Sequence, residues 1–222
     1  MNRIKEHPEG VAQDIIDAYS SLDAATVYEA NGQRGAMDHA KTPIAWGQRM
    51  CGSALPVQCH PADNLMLHAA IALAQPGDVI IADVGPLRDA GYWGEVTTVA
   101  AMARGVVGLV ISGSIRDRAA IVKRGFPVWS GAVCMRGTAK CTPGSINYPV
   151  VVGGITVHAG DLVLADDDGV VVVNQTDLVD VLAKARERES KETKMMEQLE
   201  AGALTLDLLG LRAALETLGI HI

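Results

Sequence analysis

The chain is predicted to be an α/β protein, and three features of its sequence predict it. A buried strand, a glycine-rich loop, a helix and a second buried strand follow one another between residues 79 and 111. Four short apolar runs separated by turn residues fill 150–173, and a long helix follows from residue 176. Residues 1–222 are read as one domain, with 1–175 as the core and 176–222 as a C-terminal helical extension.

The elements follow in order. Residues 11–19 and 23–30 have the pattern of two short helices, the second capped by Ser21 or Asp23 and stopped near Gly32. Residues 49–58 read as a strand. Asp63 caps an alanine-rich helix that runs to Ala74, and Pro76-Gly77 turns the chain into Val79-Ile80-Ile81-Ala82-Asp83, a buried strand. The loop 85–94 leads to a helix over 95–104, which Gly105 ends in the left-handed region before a strand over 106–111. Gly113 to Asp117 then open a helical segment that ends at Gly125, and Phe126-Pro127-Val128-Trp129 reads as another strand. The run Gly77 to Asp83 is echoed by Gly160 to Asp166, a turn-strand recurrence of two copies.

The runs 150–152, 155–157, 162–164 and 170–173 predict a compact β layer. Asp166-Asp167-Asp168-Gly169 gathers three carboxylates, yet Asp-Gly between apolar strands is a hairpin signal, and the turn is the favoured reading. Thr176 is placed to cap the final helix, whose apolar positions Leu178, Val181, Leu182 and Ala185 precede a charged stretch that closes near Gly202. Glu187 with Lys191 and Arg188 with Glu192 are (i, i+4) pairs. The apolar tail 204–218 needs a partner surface, which predicts an oligomer.

With 222 residues, 49% hydrophobic and 20% charged, the chain can bury a core without staples. A net charge of -7 and no basic run argue against nucleic acid as the ligand. No apolar stretch approaches the roughly 20 residues that span a bilayer, so no membrane is expected. Cys51, Cys59, Cys134 and Cys141 form no CxxC pair, and with no signal peptide in view they read as reduced thiols of a cytoplasmic protein. His60, His68 and His158 lack metal-ligand spacing, so structural or surface roles are expected.

The chemistry is read from Glu95 and the pair Arg116-Asp117 at the ends of the strand-helix-strand unit. If its two strands are parallel neighbours, about 4.8 Å apart, their exit loops meet at the carboxyl edge of the sheet, where ligands of open α/β sheets bind. The helix that starts at Glu95 aims unpaired N–H groups at that edge. Arg116 offers a planar fork for a carboxylate, and Asp117 a hard oxygen for a divalent cation. The alternative is that Arg116 and Asp117 cap a helix and pair with each other.

Tyr28-Glu29-Ala30-Asn31-Gly32-Gln33-Arg34-Gly35, Ala62-Asp63-Asn64, Pro76-Gly77-Asp78, Gly91-Tyr92-Trp93-Gly94-Glu95, Arg104-Gly105-Val106, Arg116-Asp117, 125–130, Gly160-Asp161 and 165–170 resemble the class II pyruvate aldolases. These cleave 4-hydroxy-4-methyl-2-oxoglutarate and 4-carboxy-4-hydroxy-2-oxoadipate. The resemblance runs from about Val27 to Leu209. It implies the fold of the regulator of ribonuclease activity A, a three-layer α/β/β sandwich assembled as a homotrimer or homohexamer. The family's signature is an acid, twenty residues and Arg-Asp, filled here by Glu95, residues 96–115 and Arg116-Asp117.

By that resemblance Asp117 holds Mg²⁺ or Mn²⁺ largely through waters, and Arg116 binds the pyruvoyl end of a small anionic 2-oxo acid. The N–H groups of Val96 and Thr97, following Gly94, hold the substrate carboxylate. Glu192, from a neighbouring subunit, is the position matched to the family's further metal-site acid, with Glu187 and Glu189 close by. Glu95 acting through a water is the expected proton relay. The implied reaction is retro-aldol cleavage to pyruvate and a second 2-oxo acid, with oxaloacetate decarboxylation through the same enolate.

Two positions depart from the pattern. The first acid is usually Asp, whereas Glu95 is one methylene longer, a displacement on the order of 1 Å for a water-activating carboxylate. Ala120 stands where the family usually has an acid. The alternatives are a non-catalytic regulator of ribonuclease activity, or a lyase for a different 2-oxo acid with Tyr92, Trp93, Asn31 and Arg34 shaping the distal pocket. For those four residues packing is the competing role. A Schiff-base aldolase is disfavoured, with Lys123 and Lys140 as its nearest candidates.

Overall fold

The computed structural model describes residues 3–38 and 41–221. Helices α1 (Gln13–Ser20) and α2 (Ala24–Ala30) come first, then strands β1 (Thr42–Pro43) and β2 (Met50–Gln58), and helix α3 (Leu65–Leu73). The central unit is β3 (Asp78–Asp83), β4 (Gly91–Trp93), α4 (Glu95–Ala103), β5 (Gly108–Ile115), α5 (Arg118–Lys123) and β6 (Val128–Val133). The second half holds β7 (Ser145–Ile146), β8 (Val150–Val152), β9 (Ile155–Val157), β10 (Leu162–Asp166) and β11 (Gly169–Val173). Helices α6 (Leu178–Glu200), α7 (Thr205–Leu208) and α8 (Arg212–Thr217) complete the order.

The main sheet runs β1-β6-β5-β3-β2-β10-β11, with β4 on β5 and β7 on β2. β2, β3, β5 and β6 are parallel neighbours, as helical crossovers require. Period-2 alternation divides their side chains between two cores. Leu55, Ile80, Leu109 and Ile111 face α3, α4 and α5, whereas Ala54, Val79, Ile81 and Val110 face the β8–β9 hairpin. The same alternation recurs in β10, where Leu162 and Leu164 pack under α1, α2 and α6 while Val163 and Ala165 join the inner core. Helices, sheet and hairpin thus form the expected three α/β/β layers, with the sheet curling toward a barrel around the inner cluster.

Several expectations shift. The single β layer divides, because β10 and β11 join the main sheet and leave β8–β9 as a separate hairpin. Asp166-Asp167-Asp168-Gly169 is the β10–β11 turn, with Asp166 opposite Gly169. The strand read as 106–111 continues to Ile115, and the loop 85–94 contains β4. Asp23 precedes α2 without capping it, since its carboxylate pairs with Arg49 at 2.9 Å, and Asp166 accepts the Ala24 N–H instead at 2.8 Å. Thr176 does not cap α6, because its hydroxyl donates to Asn174, whose side chain caps the short 3-10 turn before the helix. Both charged pairs of α6 form, Glu187–Lys191 at 2.6 Å and Arg188–Glu192 at 2.8 Å.

Among the described residues no helix is long and apolar enough to cross a membrane. All four cysteines are free thiols. Leu204, Leu209, Leu211, Leu218 and Ile220 of the tail are exposed.

A candidate active site at the carboxyl edge of the sheet

Arg116 and Asp117 follow β5 directly, and the Arg116 N–H donates to the Trp93 carbonyl at 2.8 Å, locking the end of β5 to the strand that precedes α4. Asp117 adopts the left-handed region (φ 57°) at the start of α5 and makes no side-chain cap there. Its Oδ2 instead accepts the Glu95 N–H, the first of α4, at 3.1 Å. The expected meeting of strand end and helix N-terminus is therefore made through Asp117 itself. Arg116 Nε stands 3.7 Å from the same oxygen, and both side chains are about half exposed.

Gly91 and Gly94 allow this approach. A Cβ on Gly94 would lie 2.5 Å from Asp117 Oδ2 and 3.2 Å from Arg116 Nε, and one on Gly91 would lie 3.0 Å from Arg116 Cβ. Thr97 buries its hydroxyl against Gly94, accepting from Gly94 N at 3.0 Å and donating to Gly94 O at 2.8 Å. That fixes the first turn of α4, whose Val96 and Thr97 N–H groups have no carbonyl of their own helix to bond.

Asn64, His68, Gly91, Tyr92, Gly94, Val96, Thr97, Arg116, Asp117, Gly137, Thr138 and Lys140 enclose a cavity of about 210 Å³. One wall is the predicted motif. The other comes from α3 and the loop before β7, and it includes His68, expected in a structural or surface role, and Lys140, named only as a candidate for the disfavoured Schiff-base reading. Partial burial and the nearby Lys140 ammonium hold the His68 imidazole below its ordinary pKa. Lys140, rather than Lys123, lines the cavity.

Five expected site residues stand outside that lining. Trp93 is fully buried, stacked on Phe126 with centroids 6.1 Å apart, and its Nε1 donates to Thr98 Oγ1 at 2.7 Å, so its indole is core rather than lining. Asn31 and Arg34 line a different cavity of about 170 Å³ with His158 and Asp161. The Glu95 carboxylate is outside the lining, held by Arg124 Nη2 at 2.7 Å and Nε at 2.9 Å. Nothing local in the sequence flags Arg124. Glu192, on the later turns of α6, pairs with Arg188 and is not in the lining of its own chain's cavity. A larger cavity of about 470 Å³, lined by Arg3, Gln58, Cys59, His60 and Tyr148 among others, contains none of the motif residues.

Comparison with known proteins follows this geometry. The family model described as RraA-like, Aldolase/RraA, matches residues 12–172. A protein of Halalkalibacterium halodurans named "Putative 4-hydroxy-4-methyl-2-oxoglutarate aldolase" is 27% identical over 208 residues, 94% of this chain and 96% of that one. Among solved structures, a Pseudomonas syringae protein of 28% identity superposes with a TM-score of 0.78, over 89% of this chain and 97% of its own. Streptomyces coelicolor RraAS2, described as an unusual member of the RNase ES inhibitor RraA protein family, is 27% identical with a TM-score of 0.75, over 86% of this chain and 98% of its own. The α/β/β layers, the Arg116-Asp117 edge and the 12–172 match converge on one conclusion: this chain belongs to the Aldolase/RraA family.

Proposed function

We propose that the protein is a divalent-metal-dependent pyruvate lyase. It cleaves a 4-hydroxy-2-oxo diacid, 4-hydroxy-4-methyl-2-oxoglutarate or 4-carboxy-4-hydroxy-2-oxoadipate, to pyruvate and a second 2-oxo acid, and it decarboxylates oxaloacetate through the same enolate. The observation that carries this reading is that Arg116, Asp117 and the first turn of α4 share one cavity. The relative in H. halodurans supports it by name.

The donor set suits the ion. Asp117 is the carboxylate in the cavity lining, and among the described residues no cluster of three His, Cys, Asp or Glu is poised for a metal. Mg²⁺ and similar hard ions are often held by one or two carboxylates, waters and substrate oxygens rather than an all-protein cage. Asp117 would hold it, with Glu192 of a second copy in a homotrimer or homohexamer. When bound, Mg²⁺ or Mn²⁺ supplies Lewis-acid polarisation of the 2-oxo group.

The chain's own residues do the rest. The Val96 and Thr97 N–H groups bind the substrate carboxylate at the helix N-terminus. Arg116 donates to the oxygen that becomes the enolate and stabilises its developing charge. The proton leaves the 4-hydroxyl, the O–H pair forms the new carbonyl, and the C3–C4 pair is left on C3 as the pyruvate enolate, which is then protonated. Glu95 can relay that proton only after it leaves Arg124. Four free thiols are in keeping with work in the cytoplasm.

The test is pyruvate release from both hydroxy-oxo diacids and from oxaloacetate, with Mg²⁺, Mn²⁺ or excess chelator, for wild type and Asp117→Ala. Release that needs metal and vanishes in the variant supports the lyase. No release from any of the three overturns these substrates and leaves a lyase for a different 2-oxo acid or a regulator of ribonuclease activity, the second reading, which the likeness to RraAS2 brings forward.

A further inference from the structure

The cavity of about 470 Å³ takes no part in the chemistry above, and it opens where one strand pairing stops. β2 and β7 pair at Val57–Ile146 and Gln58–Ser145, and the ladder ends there. In the same register His60 would next face Pro143, and Pro61 would face Thr142, but neither proline has an N–H to extend the pairing. Beyond Gln58 the main chain turns to β3, with Cys59 N donating to Asp83 O at 2.8 Å. The two segments part, and residues of both line the slot between them.

The charge of this slot is one-sided. The chain has a net charge of -7, yet among the described lining residues there is an arginine, Arg3, and no carboxylate. Asp63 and Asp83, whose charges reach Cys59, are outside the lining and are bonded to main-chain N–H groups, Cys141 N at 2.8 Å and Gly85 N at 2.9 Å among them. Arg3 is held by its backbone, since Ile146 N donates to Arg3 O at 3.0 Å, while its guanidinium reaches Pro143 O only at 3.5 Å. That exposed planar fork suits a carboxylate. The other surfaces are flat. They are the Pro61 and Pro143 rings, the Tyr148 ring with Lys5 Nζ 4.3 Å from its centroid, and the His60 imidazole, whose Nδ1 donates to Pro61 O at 3.0 Å.

We propose that this slot is a second ligand site, for a small monocarboxylate with a flat apolar body such as a bicyclic aromatic acid. The carboxylate lies on Arg3 and the rings lie against the prolines and Tyr148. Small-molecule sites commonly measure about 300–1,000 Å³ and combine apolar walls with a few polar groups, and this slot matches both. One guanidinium answers one negative charge. The proposal does not depend on the lyase reading, because none of the motif residues line this cavity.

Indole-3-acetate and its neutral amide, indole-3-acetamide, are the probes, with acetate as the bare carboxylate, titrated calorimetrically into the full chain. Indole-3-acetate should bind saturably with Kd below about 1 mM and at least about fivefold more tightly than the amide, and acetate should not bind measurably. Arg3→Met keeps the backbone bond to Ile146 and should erase the difference between acid and amide. Tyr148→Ala should weaken both by about tenfold, with its urea midpoint recorded alongside. The His60 ring signals in NMR should move when indole-3-acetate is added to wild type, which places the ligand whether or not Tyr148→Ala folds. Arg116→Met should leave the affinity unchanged. Lack of saturable binding overturns the proposal, as does equal affinity for acid and amide in wild type, or His60 signals that stay still. Affinity lost in Arg116→Met and kept in Arg3→Met overturns it too, because the ligand would then sit in the motif cavity.

Discussion

Asp63 holds the two walls of the cavity together, and Asp63→Asn tests how firmly. Its carboxylate is almost fully buried. Burial alone would raise its pKa, yet backbone N–H groups of Cys141, Leu65 and Thr142, at 2.8 Å each, outweigh that and hold it at about 2. Set against the ordinary carboxylate value of about 3.9, this corresponds to roughly 2–3 kcal/mol of preference for the folded state. A depressed folded-state pKa contributes stability that is present above the ordinary carboxylate range and is lost as pH falls through about 2. Asn keeps the shape and one acceptor but loses the charge, so Asp63→Asn should lose about 2–3 kcal/mol at pH 7. For a chain of this size that lowers Tm by about 4–12 °C. Urea unfolding should show a lower midpoint at unchanged slope, and the gap between variant and wild type should close as pH approaches 2. A loss below about 0.5 kcal/mol, or a gap independent of pH, would refute the reasoning.

Three further outcomes are expected. Gly94→Ala places a Cβ 2.5 Å from Asp117 Oδ2 and must displace that carboxylate, so metal-dependent pyruvate release should fall at least about tenfold while urea stability changes far less; full activity would show that Asp117 has no fixed position to lose. Arg124→Met frees the Glu95 carboxylate from a surface pair of the kind worth about 0.2–1 kcal/mol, and should leave pyruvate release unchanged or raised, whereas a tenfold drop would mean that the pair itself is the working arrangement. The His68 imidazole, followed by NMR, should titrate below its ordinary value and move up when Lys140 becomes Met, since a like charge is removed. The folded state then binds fewer protons than the unfolded one just below the ordinary histidine range, so His68 weakens the fold as pH falls through that window, and His68→Gln should flatten the trend.

The fold was legible where its causes are local. Val79-Ile80-Ile81-Ala82 is apolar at every position, the mark of a strand covered on both faces, and the structure sends Ile80 and Ala82 to one core and Val79 and Ile81 to the other. Gly105, at φ 78°, stopped α4 where the sequence placed the stop. Capping was less legible, because the groups that satisfy helix ends come from afar. Asp166 reaches Ala24 across 142 positions, and Asp23, the local candidate, is drawn to Arg49. The split of the predicted β layer has the same origin, since pairing of β10 with β2 is a tertiary choice that apolar runs do not encode.

The site divides along the same line. Glu95, Arg116 and Asp117 are spaced by one crossover, so chain geometry alone delivers their backbones to one edge. Where their side chains then point is decided by neighbours that spacing cannot see. Arg124 claims the Glu95 carboxylate, Phe126 takes the Trp93 indole into the core, and Asn31 turns to the Arg34 and Val172 carbonyls in another cavity. Lys140 was invisible as a lining residue because it is carried there by Asp63, whose bonds to Cys141 and Thr142 span nearly eighty residues. Asn64 and His68 did leave a trace, four residues apart at the start of one helix. A polar pair on the face that meets the carboxyl edge of a parallel sheet is a cavity wall waiting for its opposite, and here Arg116 and Asp117 stand there.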